Sequence, residues 1–271
     1  MAKGAEREPE EGNPMDETAE TVDEPKKRED EGWAENVKTI VYALLIALVL
    51  RTLLFQPFHI PSESMVPTLL TGDYIFASKF TYGYSRHSMP LSPPLFDGRI
   101  LGRDPQRGEI AVFKWPGDNR TDYIKRVIGL PGDTIQVRGG TLYINNEPVP
   151  REFVKTVTED NPFGGSTSVD VFRETLPNGV DYLIYDMGPR EADDTRVYVV
   201  PEDHYFMMGD NRDDSRDSRY FDAVAEEAFV GKAQIVFFSV NENFRLLRPW
   251  TWFNFRPNRF FHSVKAQPDE L

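Results

Sequence analysis

Asp122-Tyr-Ile-Lys-Arg-Val-Ile-Gly-Leu-Pro-Gly-Asp133 is the stretch from which the rest of the chain is best read. Residues 122–128 carry the β-branched and aromatic composition of a strand. In a strand, Tyr123, Lys125 and Val127 share one face, and Ile124, Arg126 and Ile128 share the other. Apolar side chains stand on both faces, so this strand is expected to be buried on both sides. Working outward, Glu109–Trp115, Arg196–Val200, Tyr205–Met208 and Gln234–Val240 read as further strands. Ile135–Arg138 and Thr141–Asn145 flank Gly139-Gly140, a two-residue hairpin turn. Residues 86–106, rich in Pro and Gly, and residues 151–195, acidic and turn-rich, read as insertions on this β scaffold. A short helix at Ala223–Ala228 is the one helical signal in this half of the chain. With 21 Pro, 19 Gly and 13% aromatic residues in 271, the composition agrees with a mainly β protein.

Composition excludes several functions. The net charge of −13 opposes nucleic acid as a main partner, because phosphate neutralisation needs a basic face. With no cysteine, disulfides, thiolate catalysis and cysteine-built zinc sites are out. The four histidines (His59, His87, His204 and His262) are scattered without a metal-ligand spacing, so no metal is expected. Residues 1–35 hold 13 acidic and 5 basic side chains, with Trp33 their one aromatic. Such a segment buries too little surface to offset its ordering entropy and reads as an unstructured acidic leader.

Next comes Thr39-Ile-Val-Tyr-Ala-Leu-Leu-Ile-Ala-Leu-Val-Leu-Arg-Thr-Leu-Leu-Phe55. These residues would span about 26 Å as a helix, slightly short of a ~30 Å hydrocarbon core. The length allows a buried helix of a soluble protein. Apolar residues on every face favour a membrane span instead, placed at residues 37–56 and ended by Pro57. The long acidic leader and the lack of a small-x-small site after the apolar run fit a retained anchor rather than a cleaved signal. Lys26, Lys27, Arg28 and Lys38 precede it, and residues 56–75 carry no Lys or Arg. The N-terminus is therefore expected in the cytoplasm, and residues 57–271 beyond the membrane. Near the other end, residues 243–265 hold five basic residues, no acid, and Trp250, Trp252, Phe253, Phe255, Phe260 and Phe261. That tail reads either as a membrane-interface belt or as an aromatic strand edge in the core.

Three clusters can carry chemistry. Pro57-Phe-His-Ile-Pro-Ser-Glu-Ser-Met-Val-Pro-Thr68 reads as a rigid extended segment that presents serine hydroxyls, although by itself it is no more than a Ser/Pro linker. Lys125, on the doubly buried strand, would be desolvated, and desolvation lowers an ammonium pKa from about 10.4 by up to several units. A neutral lysine can take a proton from a serine, whereas a lysine snorkelling to the surface is the commoner arrangement. Gly209-Asp-Asn-Arg-Asp-Asp-Ser-Arg-Asp-Ser-Arg-Tyr220 is a polar loop whose charges satisfy one another. It lacks the glycine and the final glutamate of a calcium loop. His59 lies too near Ser64 along the chain to serve as its base, so a Ser/Lys pair is the simpler nucleophile.

In these segments, and in Gly72-Asp-Tyr-Ile-Phe-Ala-Ser-Lys79 and Arg107-Gly-Glu-Ile-Ala-Val-Phe113, the chain resembles bacterial signal peptidase I, the membrane-bound serine endopeptidase family that removes signal peptides. The resemblance covers roughly half the chain, its motifs in order. It implies an antiparallel β-sheet catalytic core with an inserted second β region. Ser64 matches the nucleophile and Lys125 the general base. Ser62, with the Ser64 N–H, matches the oxyanion hole, and Ser215 the hydroxyl that orients the lysine. Asp210, Arg126, Asp217 and Arg219 match the supporting ion pairs. Phe58, Ile60 and Ile124 match residues lining shallow substrate pockets, with Tyr123 placed among the substrate contacts. The implied partners are exported preproteins and the phospholipid membrane, and no cofactor is implied. Glu63 stands where glycine is frequent, and on an extended segment it would point away from the two serines. Asp222 also stands at a customary glycine position. Rival readings are an inactive paralogue, a membrane-anchored β binding module, and a conjugation-type Ser/Lys maturation peptidase. Loss of preprotein cleavage on replacing Ser64 separates an enzyme from the binding readings.

Overall fold

The computed structural model describes residues 29–89, 98–160, 165–241 and 254–264. The chain divides into two units, residues 1–46 and 47–271. Helix α1, Glu29–Leu53, runs across that division. Its stretch Trp33–Leu53 is long and apolar enough to cross a membrane, and its side chains are not buried by the protein. Ile40, Leu44, Ile46 and Leu50 are all about half exposed, as an unpartnered span requires.

Two expectations are corrected here. The helix begins at Glu29, inside the stretch read as unstructured: an established apolar helix extends backwards, and the single Gly32 on the way costs only about 1 kcal/mol. Its end at Leu53 comes before residue 56. Pro57 cannot extend a helix, and Phe55–His59 is already strand β1. The remainder of the leader, residues 1–28, lies outside the described residues.

The strands that follow are β2 (Asp73–Ser78), β3 (Ile110–Lys114), β4 (Asp122–Gly129), β5 (Thr134–Arg138), β6 (Thr141–Ile144) and β7 (Glu147–Pro148). Then come β8 (Arg151–Asp160), β9 (Ser166–Thr175), β10 (Asp181–Asp186), β11 (Tyr198–Val199) and β12 (His204–Met208). A single helical turn, α2 (Ser218–Phe221), precedes β13 (Val224–Ala225), β14 (Phe229–Ser239) and β15 (His262–Ser263). An eight-stranded sheet runs β1-β2-β14-β3-β4-β12-β13, with β15 also paired to β14. A four-stranded sheet runs β11-β5-β6-β7, and β10-β9-β8 form a third. The strand pairings are antiparallel. Gly139 and Gly140 both have positive φ, 53° and 74°, the requirement of a type I′ hairpin turn.

Strand β4 is the hinge of the core, and it is buried from Ile124 to Gly129. Ile124 joins Ile60, Met65, Leu69, Ile75, Ile110, Val112 and Val236 on one face. Val127 joins Phe113, Tyr205, Met207 and Phe229 on the other. Ile128 packs against Ile135, Leu142, Ile184 and Phe206, tying the eight-stranded sheet to the other two. Each such large side chain taken fully from water contributes about 1.5–3 kcal/mol.

β1 is an edge strand. Ile60 N donates to Asp73 O, Gly72 N to Ile60 O, and Lys79 N to Leu54 O. Even-numbered residues therefore face β2, and Pro57 faces the open edge, where its missing N–H leaves no ladder bond unmade.

The insertion at 151–195 is more regular than its acidic, turn-rich sequence implied. It holds the whole third sheet, including the ten-residue strands β8 and β9. At Ala223–Ala228 the expected helix is instead β13 and a 3-10 turn. Val224 is drawn onto Tyr205 of β12 and is fully buried, so packing overrides helix propensity. In the tail, β15 pairs with β14 while Phe261 stays 75% exposed. Residues 243–253 and 265, with Trp250, Trp252 and Phe253, lie outside the described residues, as do 90–97 of the first insertion.

Candidate active site

Lys125 is 4% exposed. Its Nζ lies 2.7 Å from Ser64 Oγ and donates to the carbonyl oxygen of Ile124 at 2.9 Å. Burial pushes its pKa down to about 8; the carboxylates of Asp217, Asp210 and Asp214 oppose this, and Arg219 adds to it. The Tyr123 ring centroid stands 5.5 Å from the amine and helps to wall it off. With a pKa of about 8, roughly a tenth of this lysine is neutral at pH 7, against well under one in a thousand for an ordinary lysine, and carries a lone pair for the Ser64 proton.

Ser64 sits in a turn, not on the extended segment expected from its flanking prolines. Val66 N donates to Glu63 O at 3.0 Å, and Leu69 N donates to Met65 O at 2.8 Å. The apolar side chains of Met65 and Leu69 reach the core only if the chain coils here. Ser64 is 7% exposed, and its Oγ lies 3.4 Å from that of the exposed Ser62. The Ser62 hydroxyl therefore stands beside the nucleophile, as a donor to a developing oxyanion must. Phe58 packs with Ile60 and Ile124 in one apolar cluster, and the last two are only 2% and 9% exposed. Tyr123 lies on the opposite face of β4, among Phe113, Trp115 and Phe221.

The loop after β12 braces both partners. Arg126 donates from Nε and Nη2 to the two oxygens of Asp210 at 2.8 and 2.6 Å, with both side chains 1% exposed. Thr68 Oγ1 also donates to Asp210, at 2.5 Å. Arg219 grips Asp217 in the same bidentate way at 2.9 Å, and the N–H of Gly209 donates to Asp217 at 2.9 Å. Burial alone would raise the Asp217 pKa; the charge and hydrogen bonds of Arg219 outweigh it and hold the carboxyl below its usual value. Asn211 donates from its N–H to Ser64 O at 3.2 Å and from Nδ2 to Glu63 O at 3.3 Å.

Nine of the expected residues thus converge around one hydroxyl, or on the ion pairs and apolar cluster beside it. Ser215 behaves differently. Its Oγ is buried and makes no hydrogen bond to the Lys125 amine, which spends its contacts on Ser64 and Ile124 O; it lies close enough to Asp217 to help hold that carboxyl down. Asn211, Thr68 and Gly209 were not singled out from the sequence, although all three stand inside the motifs. No group of His, Asp and Glu that could hold a metal occurs among the described residues.

A serine hydroxyl on a buried lysine amine, within an antiparallel β fold, is the arrangement of a serine hydrolase that uses lysine as its base. The model of the family "Signal peptidase, peptidase S26" matches residues 33–238. Signal peptidase I of Rickettsia akari is 39% identical over 260 residues, 88% of this chain and 94% of its own. That of Rickettsia typhi is 43% identical over 213 residues, 74% of this chain and 78% of its own. A signal peptidase I crystal structure from Enterococcus faecalis shows 29% identity over 48% of this chain and 97% of its own, with a TM-score of 0.30. The chain belongs to the signal peptidase family, peptidase S26, and is a serine endopeptidase.

Proposed function

We propose that this enzyme cleaves signal peptides from exported preproteins, after small-x-small sites, at the outer face of the cytoplasmic membrane. The observation that carries the reading is the 2.7 Å approach of a buried Lys125 amine to Ser64 Oγ. Neutral Lys125 takes the Ser64 proton as Oγ attacks the scissile carbonyl. The oxyanion is met by the Ser64 N–H and the Ser62 hydroxyl, each donor worth about 3–4 kcal/mol in comparable enzymes. The lysine then returns the proton to the leaving amine. Water, deprotonated by the same amine, releases the acyl chain and restores Ser64.

The substrate adds as a strand to the open edge of β1, with Phe58, Ile60 and Ile124 beneath its small side chains and Tyr123 flanking the base. Ile60 and Ile124 are nearly closed off, so a substrate side chain set above them has to be small. Asp210–Arg126 and Asp217–Arg219 hold the pair in register. Helix α1 anchors the chain with its N-terminus in the cytoplasm, following the Lys/Arg bias, and residues 57–271 form the catalytic region beyond the membrane. Exposed Phe55, Phe80 and Phe261 suit a lipid surface near which the substrate's apolar segment is held.

The test is cleavage of a preprotein by the purified full chain in detergent micelles. Wild type should cut after the small-x-small site, and Ser64→Ala and Lys125→Met should be silent. Cleavage by Ser64→Ala at the wild-type rate would remove the nucleophile from this account.

A further inference from the structure

The three-stranded sheet of residues 151–195 carries two polar side chains that are fully hidden from water. Glu174 of β9 is 0% exposed and Tyr182 of β10 is 1% exposed. Both meet Arg212, two residues beyond Asp210. Arg212 donates from Nη1 and Nη2 to the Glu174 oxygens at 2.7 and 2.6 Å. The Tyr182 hydroxyl donates to Glu174 at 2.5 Å and accepts from Arg212 at 3.0 Å. Removing one member of a pair this buried strands its partner.

Tyr182 also reaches the strand that carries the base. The guanidinium of Arg126, next to Lys125, lies 4.2 Å from the Tyr182 ring centroid, and that of Arg212 lies 6.0 Å away. Backbone bonds run alongside: Tyr185 N donates to Asp210 O at 2.9 Å and Arg212 N donates to Tyr185 O at 3.0 Å. Between Asp210 and Arg212 stands Asn211, which holds the carbonyl oxygens of Glu63 and Ser64. Residues 210–212 are thus fastened to the inserted sheet on one side and to the serine turn on the other.

We propose that the inserted sheet, through Glu174 and Tyr182, positions the Ser64–Lys125 pair; this rests on the function argued above. Neither residue touches the reacting atoms. Glu174 fixes Arg212, and so fixes Asn211 against the turn that carries Ser64. The Tyr182 hydroxyl, bonded to both Glu174 and Arg212, fixes that pair in turn, and its ring lies against Arg126. A shift of about 1 Å between nucleophile and base lowers rates by roughly a hundredfold without changing how substrate is held. The sheet therefore acts on turnover rather than on affinity.

The test compares Tyr182→Phe and Glu174→Gln with wild type as full chains in detergent micelles. It measures kcat and KM on a preprotein, the rate at which a serine-reactive penem acylates Ser64, and the thermal midpoint. Tyr182→Phe should keep the fold, lower kcat by about tenfold with KM within about twofold, and slow Ser64 modification by the same factor. Glu174→Gln should do so more strongly, and where it fails to fold Tyr182→Phe decides. Wild-type kcat and modification rate in folded Tyr182→Phe would overturn the proposal, as would a change confined to the thermal midpoint. Modification of Ser64 needs no preprotein. A wild-type chain that reacts with the probe but leaves preprotein intact would count against the proposed substrate, and the modification rates would still decide the role of the sheet.

Discussion

A Cβ placed on Gly209 would stand 2.5 Å from the carbonyl oxygen of Ser64 and 2.5 Å from Cβ of Ser215. Backbone contacts that close do not occur, so a side chain here would drive the 209–217 loop and the serine turn apart. Gly209→Ala should therefore fold, because most of the core lies elsewhere, but should lose preprotein cleavage by about a hundredfold or more. Steady-state kinetics beside a thermal melt checks this. Wild-type turnover in Gly209→Ala would mean that the close approach is not needed.

Activity should track the neutral fraction of Lys125. Its pKa of about 8 places the acid limb of kcat/KM near that value, with cleavage rising as pH increases through it. A pH–rate profile in the full chain measures this directly. A limb near 6.5, the ordinary histidine value, would point to another base.

How much of this was legible in the chain depends on distance along it. The strand 122–129 and the Gly139-Gly140 turn follow from alternation and turn chemistry, which are local. Ser64 and Lys125 lie 61 residues apart and were paired through a desolvation argument and a family resemblance. The X-Pro steps around Ser64 gave the wrong local shape, because the pull of Met65 and Leu69 into the core outweighs the extended preference of residues before proline. Glu174 and Tyr182 have no local signature: an acid in an acidic insertion looks solvent-facing until its arginine, 38 residues on, is seen beside it. Helix residues 29–35 were hidden because charge composition describes an isolated segment, not one continuing from an apolar helix.

Lys125 also has a stability consequence. Its folded pKa lies below that of the unfolded chain, so between about pH 8 and 10.5 the unfolded state binds more protons. Stability therefore rises with pH across that window and is reduced in full below it. A depression of this size corresponds to about 3 kcal/mol. Lys125→Met should be inactive but more stable than wild type at pH 7, with the gain shrinking toward pH 10. Thermal unfolding at the two pH values reads this out, and a gain independent of pH would show that the amine is not desolvated in the folded enzyme.

Asp222 closes the turn after α2 with φ 65° and ψ −167°, a backbone region that glycine occupies almost alone. The family's customary glycine thus has a physical reason at this position. The side chain of Asp222 returns little: its partner Arg196 lies 3.1 Å away, with both side chains more than half exposed, and such pairs contribute at most about 1 kcal/mol. Relief of backbone strain is of order 1–3 kcal/mol, so the strain outweighs the ion pair. Asp222→Gly should raise the thermal midpoint by about 2–4 °C and leave kcat unchanged, since Asp222 contacts neither Ser64 nor Lys125. Paired melts of the two full chains in the same detergent, at a salt concentration high enough to screen the Arg196 pair, isolate the backbone contribution. A lower midpoint for Asp222→Gly under those conditions would show that Asp222 is held without strain.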